Sequence, residues 1–450
     1  MLDTKSLDIL AKALEQLDSG FHHLPEFSAH FSSNERLAQV LAATAEKLED
    51  NFPYFHPLYA GQMLKPPHPV ARLAYALAMY INPNNHALDG GRATSALEKE
   101  AVAEIASMFG WHNYLGHLCG GGTMANLEAL WVAGQLHPGK KILANEQAHY
   151  THNRISGVLQ LEFESVRCDS RGRIDLGALE NRLARNDVGT VVATLGTTAT
   201  GSVDPLAEIL SLRERHGFRV HVDAAYGGYF ALARNLAASA KESFSGIKDA
   251  DSIVIDPHKH GLQPYGCGCV IFRDASVGKL YKHESPYTYF SSAELHLGEI
   301  SLECSRPGAA AAALWATQKL LPLHSGGEFA RGLEAGREAA LQLYSKLRHD
   351  HRFVPAFEPE LDILVFLPRE ADQEKASARS RKIFSAAAQH DLHLAVADLP
   401  LRFWNDVDFA DPDSEETVTC LRSVLMKPEH LDWIKPIWER LIRAHSDTMF

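Results

Sequence analysis

Two short β-branched runs, His221-Val-Asp-Ala-Ala-Tyr226 and Ser252-Ile-Val-Ile-Asp-Pro-His-Lys-His260, each break into charged and polar residues. Runs of this kind suit buried parallel strands, and open α/β sheets gather their active sites at strand C-terminal ends. The two segments would bring an acid, Asp223, and an amine, Lys259, to one edge of one sheet. Either residue alone reads as ordinary, because a strand-end aspartate is usually a helix cap and a lysine is usually a solvated surface group. Together they suit pyridoxal phosphate. A lysine carries that cofactor as a Schiff base, and a carboxylate keeps the pyridine nitrogen protonated so that the ring can accept electrons. The small residues after the acid, Ala224, Ala225, Gly227 and Gly228, would let a flat ring lie against backbone.

Further groups fall around this pair. Leu118-Cys-Gly-Gly-Gly-Thr-Met-Ala-Asn-Leu-Glu-Ala-Leu130 leads glycines into Thr123 and an apolar-periodic helix, the make-up of a phosphate cradle at a helix N-terminus. It matches neither the Rossmann nor the Walker pattern. His149 follows a strand in Asn145-Glu-Gln-Ala-His-Tyr150, where an imidazole could stack on a planar cofactor, and Thr194-Leu-Gly-Thr-Thr198 ends another strand with hydroxyls.

The elements that must position these groups alternate strand and helix at βαβ intervals. Strands are predicted over Lys141–Ala144, Val166–Cys168, Thr190–Leu195, Val220–Asp223, Ser252–Asp256 and Gly268–Phe272, with helices over Met124–Leu136, Leu206–His216 and Gly308–Leu320. Residues 1 to about 50 read as helices from the spacing of Leu7, Leu10, Leu14 and Leu17, and of Leu37, Val40, Leu41 and Leu48. A helix through Val70–Tyr80, a loop over 82–91 and a helix from about Ser95 to Phe109 follow. Beyond a long helix, about Gly326–Leu347, come Ile363–Leu367, His393–Ala397, Thr417–Leu425 and a last helix ending near Ala444. The expected architecture is α/β, with a large doubly wound, mainly parallel sheet domain and a smaller C-terminal α+β domain. The division reads as an N-terminal helical segment, 1–85, a cofactor-binding domain, 86–320, and a small domain, 321–450.

A chain of 450 residues can bury a sizeable core, and its 46% hydrophobic and 22% charged residues are ordinary for a globular protein. The net charge of −12 argues against nucleic acid or an anionic membrane as the main partner. The polar N-terminus lacks the pattern of a secretory signal, and no apolar run approaches bilayer length. The six scattered cysteines lack paired metal-site spacing, so no metal is expected and a reducing cytoplasmic setting is.

The ordered set of GGGTMAN, a strand-end histidine, LGTT, HVDAAYGG and DPHK resembles the pyridoxal-phosphate-dependent group II amino-acid decarboxylases, over most of the chain. The resemblance implies a fold-type I enzyme that converts an L-amino acid to its amine and CO2. It puts the Schiff-base lysine at Lys259, the pyridine-nitrogen partner at Asp223, Ala225 under the ring and His149 over it. Gly121, Gly122 and Thr123 would hold the phosphate with His258 nearby, and Thr198 would lie near the cofactor's hydroxyl. Asp256 stands where many mammalian-type members carry asparagine, a departure that resembles bacterial tyrosine and archaeal tyrosine/aspartate decarboxylases. The acid that protonates Cα in the family is a loop tyrosine, and here Tyr287 and Tyr289 are both candidates. Ser305 and Arg306 resemble the segment that reaches the partner's cofactor, so a homodimer with active sites at the subunit interface is implied. Tyr59 and Gln62 fall in a segment similar to the one lining the neighbouring subunit's pocket, and Arg422 matches an arginine close to it. An aromatic, tyrosine-like substrate is expected, with an acidic amino acid as the alternative. A transaminase, and a catalytically silent cofactor-binding scaffold, are the readings outside this class.

Overall fold

The computed structural model describes residues 4–27, 33–281, 295–411 and 414–449. One sheet is built from β1 (Leu115–Cys119), β2 (Lys141–Asn145), β3 (Phe163–Val166), β4 (Val188–Thr194), β5 (Arg219–Asp223), β6 (Ser252–Ile255) and β7 (Gly268–Phe272), in the order β1-β7-β6-β5-β4-β2-β3. From β6 to β3 every pairing is parallel, and β7 runs antiparallel to both β6 and β1. Alternate residues of the central strands enter different cores. Val220, Val222, Ile253 and Ile255 pack with Val102, Ile105, Leu206 and Ile209 on one face. Val254, Val270 and Phe272 meet Ala125, Ala129 and Val132 on the other. With both faces covered, the strands read as continuous apolar runs, each fully buried valine or isoleucine contributing about 1.5–3 kcal/mol.

A second sheet, wholly antiparallel, takes the order β10-β11-β9-β8 from β8 (Phe353–Pro355), β9 (Ile363–Pro368), β10 (Ala395–Pro400) and β11 (Thr417–Val424). Helices Glu328–His349, Gln373–Gln389 and His430–Asp447 accompany it. The N-terminal segment joins this layer. Tyr59 bridges His393, and the Val424 N–H donates to the Ala60 carbonyl at 2.7 Å. Upstream, helices Leu7–Ser19 and Asn34–Leu48 are amphipathic yet bury no residue. The α/β architecture with a large mainly parallel sheet and a smaller α+β part is as expected.

Some elements depart from the sequence reading. β3 ends where the expected strand begins, because at this sheet edge Glu164 and Ser165 remain partly or wholly in solvent and blur the apolar pattern. β1 was hidden by Gly116 and His117. His117 is fully buried, with Nε2 at 3.0 Å from the Glu128 carboxylate and Nδ1 bonded to the Leu118 carbonyl. The helix expected from Ser95 starts at Leu88, inside the expected loop, and breaks at Gly91, packed against the Asn84 carbonyl. Among the described residues, no helix is long and apolar enough to cross a membrane.

Candidate active site

The C-terminal ends of β5 and β6 are neighbours, with Asp223 in register with Val254, so the two sequence segments do share an edge. Asp223 is 5% exposed. Its Oδ2 accepts from His152 Nε2 at 2.8 Å and from Asn126 Nδ2 at 3.4 Å, and its Oδ1 accepts from the Ala225 N–H at 3.1 Å. Burial alone would raise this carboxyl, but His152, the Ala225 amide and the nearby Lys259 hold it well below the ordinary carboxylate range. Asn126 is itself fixed by His221 Nε2 at 2.8 Å, whose Nδ1 meets Ser252 Oγ at 2.9 Å. His221 is fully buried, and its pKa is lowered to about 3. Oδ1 thus has acceptor capacity left for one more N–H.

Lys259 lies in the turn after β6. Its Nζ pairs with Asp256 Oδ2 at 2.9 Å. Burial would lower the amine's pKa, but Asp256 and then Asp223 reverse this and raise it. Asp256 is 2% exposed and presses against Gly122, where a Cβ would stand 2.7 Å from Oδ2. Gly121 has φ +144°, a conformation glycine adopts freely, and a Cβ there would stand 3.2 Å from the His258 ring. His258 Nε2 lies 3.5 Å from Asp256 Oδ2, and burial lowers its pKa.

These two glycines open the helix Gly122–Leu136, with Thr123 exposed in its first turn. Helix N–H groups, a hydroxyl and the unpartnered buried His258 Nδ1 make a fitting cradle for a phosphate. A buried ionised carboxylate and an amine flank the same edge, so the residues present fit pyridoxal phosphate. The acid Asp256 at the cradle is the unusual member.

The glycines after Asp223 have another use than the one expected. A Cβ on Gly227 would stand 2.1 Å from the Leu195 carbonyl, and one on Gly228 would meet Ile255 at 2.7 Å. Gly227 lets the loops after β4 and β5 pack backbone to backbone and Gly228 makes room for the Ile255 side chain, whereas Ala225 is partly exposed.

Around this centre His149 is half-buried, with Nδ1 at 2.8 Å from Thr151 Oγ1. Burial lowers its pKa, and Asp223 and Lys259 both act on it. Thr198 is exposed, and its carbonyl accepts from Arg422 at 2.6 Å. Arg422 is buried on β11, and its other donors reach Ala199 O at 3.0 Å, Gly61 O at 3.0 Å and Gln62 Oε1 at 3.3 Å. Gln62 is exposed, while Tyr59 is buried among Phe52, Tyr54 and His393.

Ser305 is exposed, its Oγ bonded by Asn84 Nδ2 at 3.1 Å. Arg306 turns inward to Glu98 at 2.8 Å, so its guanidinium is spent inside this chain. Tyr287 and Tyr289 lie outside the described residues.

Two residues that the sequence reading passed over belong here. His152 lies in the first turn of the helix Thr151–Val158, just after the loop that carries His149. Tyr265 lies with its ring centroid 4.9 Å from that of His258, and its hydroxyl reaches Met63 O at 3.3 Å. A separate cavity of about 500 Å3, lined by Lys65, His260, Phe329 and Lys427 among others, holds neither Lys259 nor Asp223. Among the described residues no cluster of histidine, cysteine and acidic side chains could hold a metal ion.

Comparison with known proteins identifies the family. A model of the pyridoxal-dependent decarboxylase conserved domain matches residues 134–368, more than half of the chain. A Methanothermobacter thermautotrophicus protein named "Probable L-tyrosine/L-aspartate decarboxylase" is 30% identical over 317 residues, covering 68% of this chain and 82% of that one. An L-tyrosine decarboxylase of Enterococcus faecium is 26% identical over 528 residues, covering 89% and 86%. Among solved structures, mouse CSAD superimposes with a TM-score of 0.78 at 20% identity, covering 98% of this chain and 99% of the other. Oryza sativa TDC, solved with PLP and tryptamine, has a TM-score of 0.78 at 17% identity, covering 100% and 99%. The chain belongs to the pyridoxal-dependent decarboxylase family, and it is a pyridoxal-phosphate-dependent amino-acid decarboxylase.

Proposed function

We propose that the enzyme removes the α-carboxylate of an aromatic, tyrosine-like L-amino acid. The observation that carries this reading is the run of aromatic residues from the N-terminal segment to the amine. Tyr54 and Tyr59 pack edge to face at 4.9 Å, and Tyr265 joins Met63 of the same segment to His258, next to Lys259. The names of the relatives from M. thermautotrophicus and E. faecium support tyrosine as a substrate.

In this reading Lys259 holds the cofactor covalently through Nζ, and Gly121, Gly122, Thr123 and His258 hold its phosphate. Ala225 and His149 bound its ring, Thr198 lies near its hydroxyl, and Ser305 belongs to the segment facing a partner's site. When bound, the cofactor supplies an electron sink for the pair left on Cα as CO2 departs. Asp223 keeps a proton on the ring nitrogen through a charge-assisted hydrogen bond. Arg422 has four of its five N–H groups engaged, three by backbone carbonyls, and offers the remaining one to a substrate carboxylate. Tyr287 and Tyr289 remain the candidates for the proton delivered to Cα.

A second reading takes an acidic substrate, aspartate or glutamate. It is favoured by the Gln62–Arg422 pair, which puts an amide and a guanidinium side by side. Measuring CO2 release from a panel of the standard amino acids and dopa separates the two. Turnover of aspartate or glutamate, with none of tyrosine, tryptophan or dopa, would overturn the aromatic reading.

We also infer that the working unit is a homodimer. Helices Leu7–Ser19 and Asn34–Leu48 expose Leu7, Ile9, Leu37, Val40, Leu41 and Leu48, each about half or more, on chain that a second copy would cover. The segment 1–85 would then be shared between subunits, with 86–320 and 321–450 as the two domains. The six free cysteines, five of them buried, support a reducing, cytoplasmic setting.

A further inference from the structure

His152 is a second histidine at the buried acid. It is fully buried in the short helix Thr151–Val158, beside Ile155 and Ser156. Its Nε2 meets Asp223 Oδ2 at 2.8 Å, and its Nδ1 is buried with no hydrogen-bond partner. An imidazole with one idle nitrogen is a poor choice for packing alone, since burying an unmatched polar atom costs free energy that an apolar side chain of like shape would not. What the residue gains is a single directed hydrogen bond to the acid. The carboxylate is thereby pinned on both oxygens, Oδ2 by His152 and more weakly by Asn126, Oδ1 by the Ala225 amide.

We propose that His152 is a positioning residue of the cofactor's electron sink: it holds Asp223 ionised and fixed so that the ring nitrogen keeps its proton. The inference rests on Asp223 being the partner of that nitrogen. The titratable groups facing the carboxylate are His152, His149 and Lys259, with His221 behind Asn126 and Asp256 beyond Lys259. Of these, His152 is the one whose side chain bonds the carboxylate directly. Without that bond the carboxylate binds its own proton more readily and turns more freely, and the ring nitrogen loses its proton at lower pH.

The test loads the enzyme with cofactor labelled with 15N at the ring nitrogen and follows its chemical shift with pH. His152→Phe, and His152→Asn as a smaller polar variant that cannot reach Oδ2, should ease deprotonation of the ring nitrogen about tenfold to a hundredfold. That range is the worth of one hydrogen bond to a charged group. His152→Gln, which can place an amide N–H where Nε2 stands, should restore most of the difference. In kinetics kcat should fall with KM little changed.

A ring-nitrogen titration in His152→Phe or His152→Asn identical to that of the parent enzyme overturns the proposal. Asp223→Asn, run beside them, distinguishes failure of the premise. If the nitrogen stays protonated there too, Asp223 is not its partner. If Asp223→Asn releases the proton and the His152 variants do not, only the role of His152 fails.

Discussion

Replacing Asp256 by asparagine should speed the covalent capture of cofactor by Lys259 at neutral pH. Capture needs the neutral amine, and Asp256, 2.9 Å from Nζ, favours the ammonium form. Both groups are largely buried, with 22% of the lysine side chain and 2% of the aspartate side chain exposed, so screening by water is limited. A hydrogen bond between charged groups is worth about 1.5–3 kcal/mol, or about tenfold to a hundredfold in the neutral fraction. Asparagine still accepts a hydrogen bond and Asp223 still lies near, which puts the expectation toward the lower end, about tenfold.

The pH dependence has a definite sign. Because Asp256 raises the amine's pKa, the variant's advantage is full at pH values below both amines' pKa values. It disappears as pH rises through that of the parent enzyme. Rapid mixing of apoenzyme with pyridoxal phosphate, followed by visible absorption across pH, measures it. Pyridoxal without its phosphate serves as a control, since removing an acid from the phosphate cradle also eases binding of the anion. The gain with pyridoxal isolates the effect on the amine. Equal capture rates and equal pH profiles for parent and variant, with pyridoxal as probe, would refute the reasoning.

Lys259→Ala should abolish the borohydride-reducible adduct, and an adduct persisting at another lysine would refute the assignment. Gly268→Ala should weaken cofactor binding about fivefold or more in equilibrium dialysis. Its Cβ would stand 2.5 Å from the Gly121 carbonyl carbon and must push the cradle aside, with overpacking costing about 1–3 kcal/mol; unchanged affinity would count against the cradle. Asp204→Ala should lower unfolding free energy by about 2–4 kcal/mol in urea denaturation. That carboxylate accepts from Asn145 Nδ2 and from the Ile174 and Thr194 amides, and its loss strands three buried donors.

Much of the catalytic edge was legible because strands β4, β5 and β6 announce themselves. They are buried on both faces, so their β-branched runs end sharply, β4 and β5 on Thr194 and Asp223 and β6 just before Asp256. The ordered motifs then carried the identity of the cofactor. Less was legible where the cause is distant in sequence. Arg422 reads as an isolated strand residue until Gly61, 361 positions away, is seen to lie against it. His152 looks like one more histidine on a short helix, since nothing local says that β5 ends beside it. The glycines Gly227 and Gly228 were read as room for a flat ring, whereas their neighbours are the Leu195 carbonyl and the Ile255 side chain. β1 escaped because a buried His117–Glu128 pair supplies polarity where a buried strand usually has none.

The guanidinium of Arg422 also bears on the order in which the molecule comes together. It joins the loop after β4, the extended segment at Gly61 and Gln62, and a strand of the second sheet. Contacts spanning most of the chain close last, because the loop entropy must be met before they form. The nascent protein can assemble β4 to β6, with Asp223 and Lys259 side by side, well before Arg422 arrives. With Lys259 and Arg422 in the proposed roles, cofactor capture should therefore precede substrate recognition during refolding.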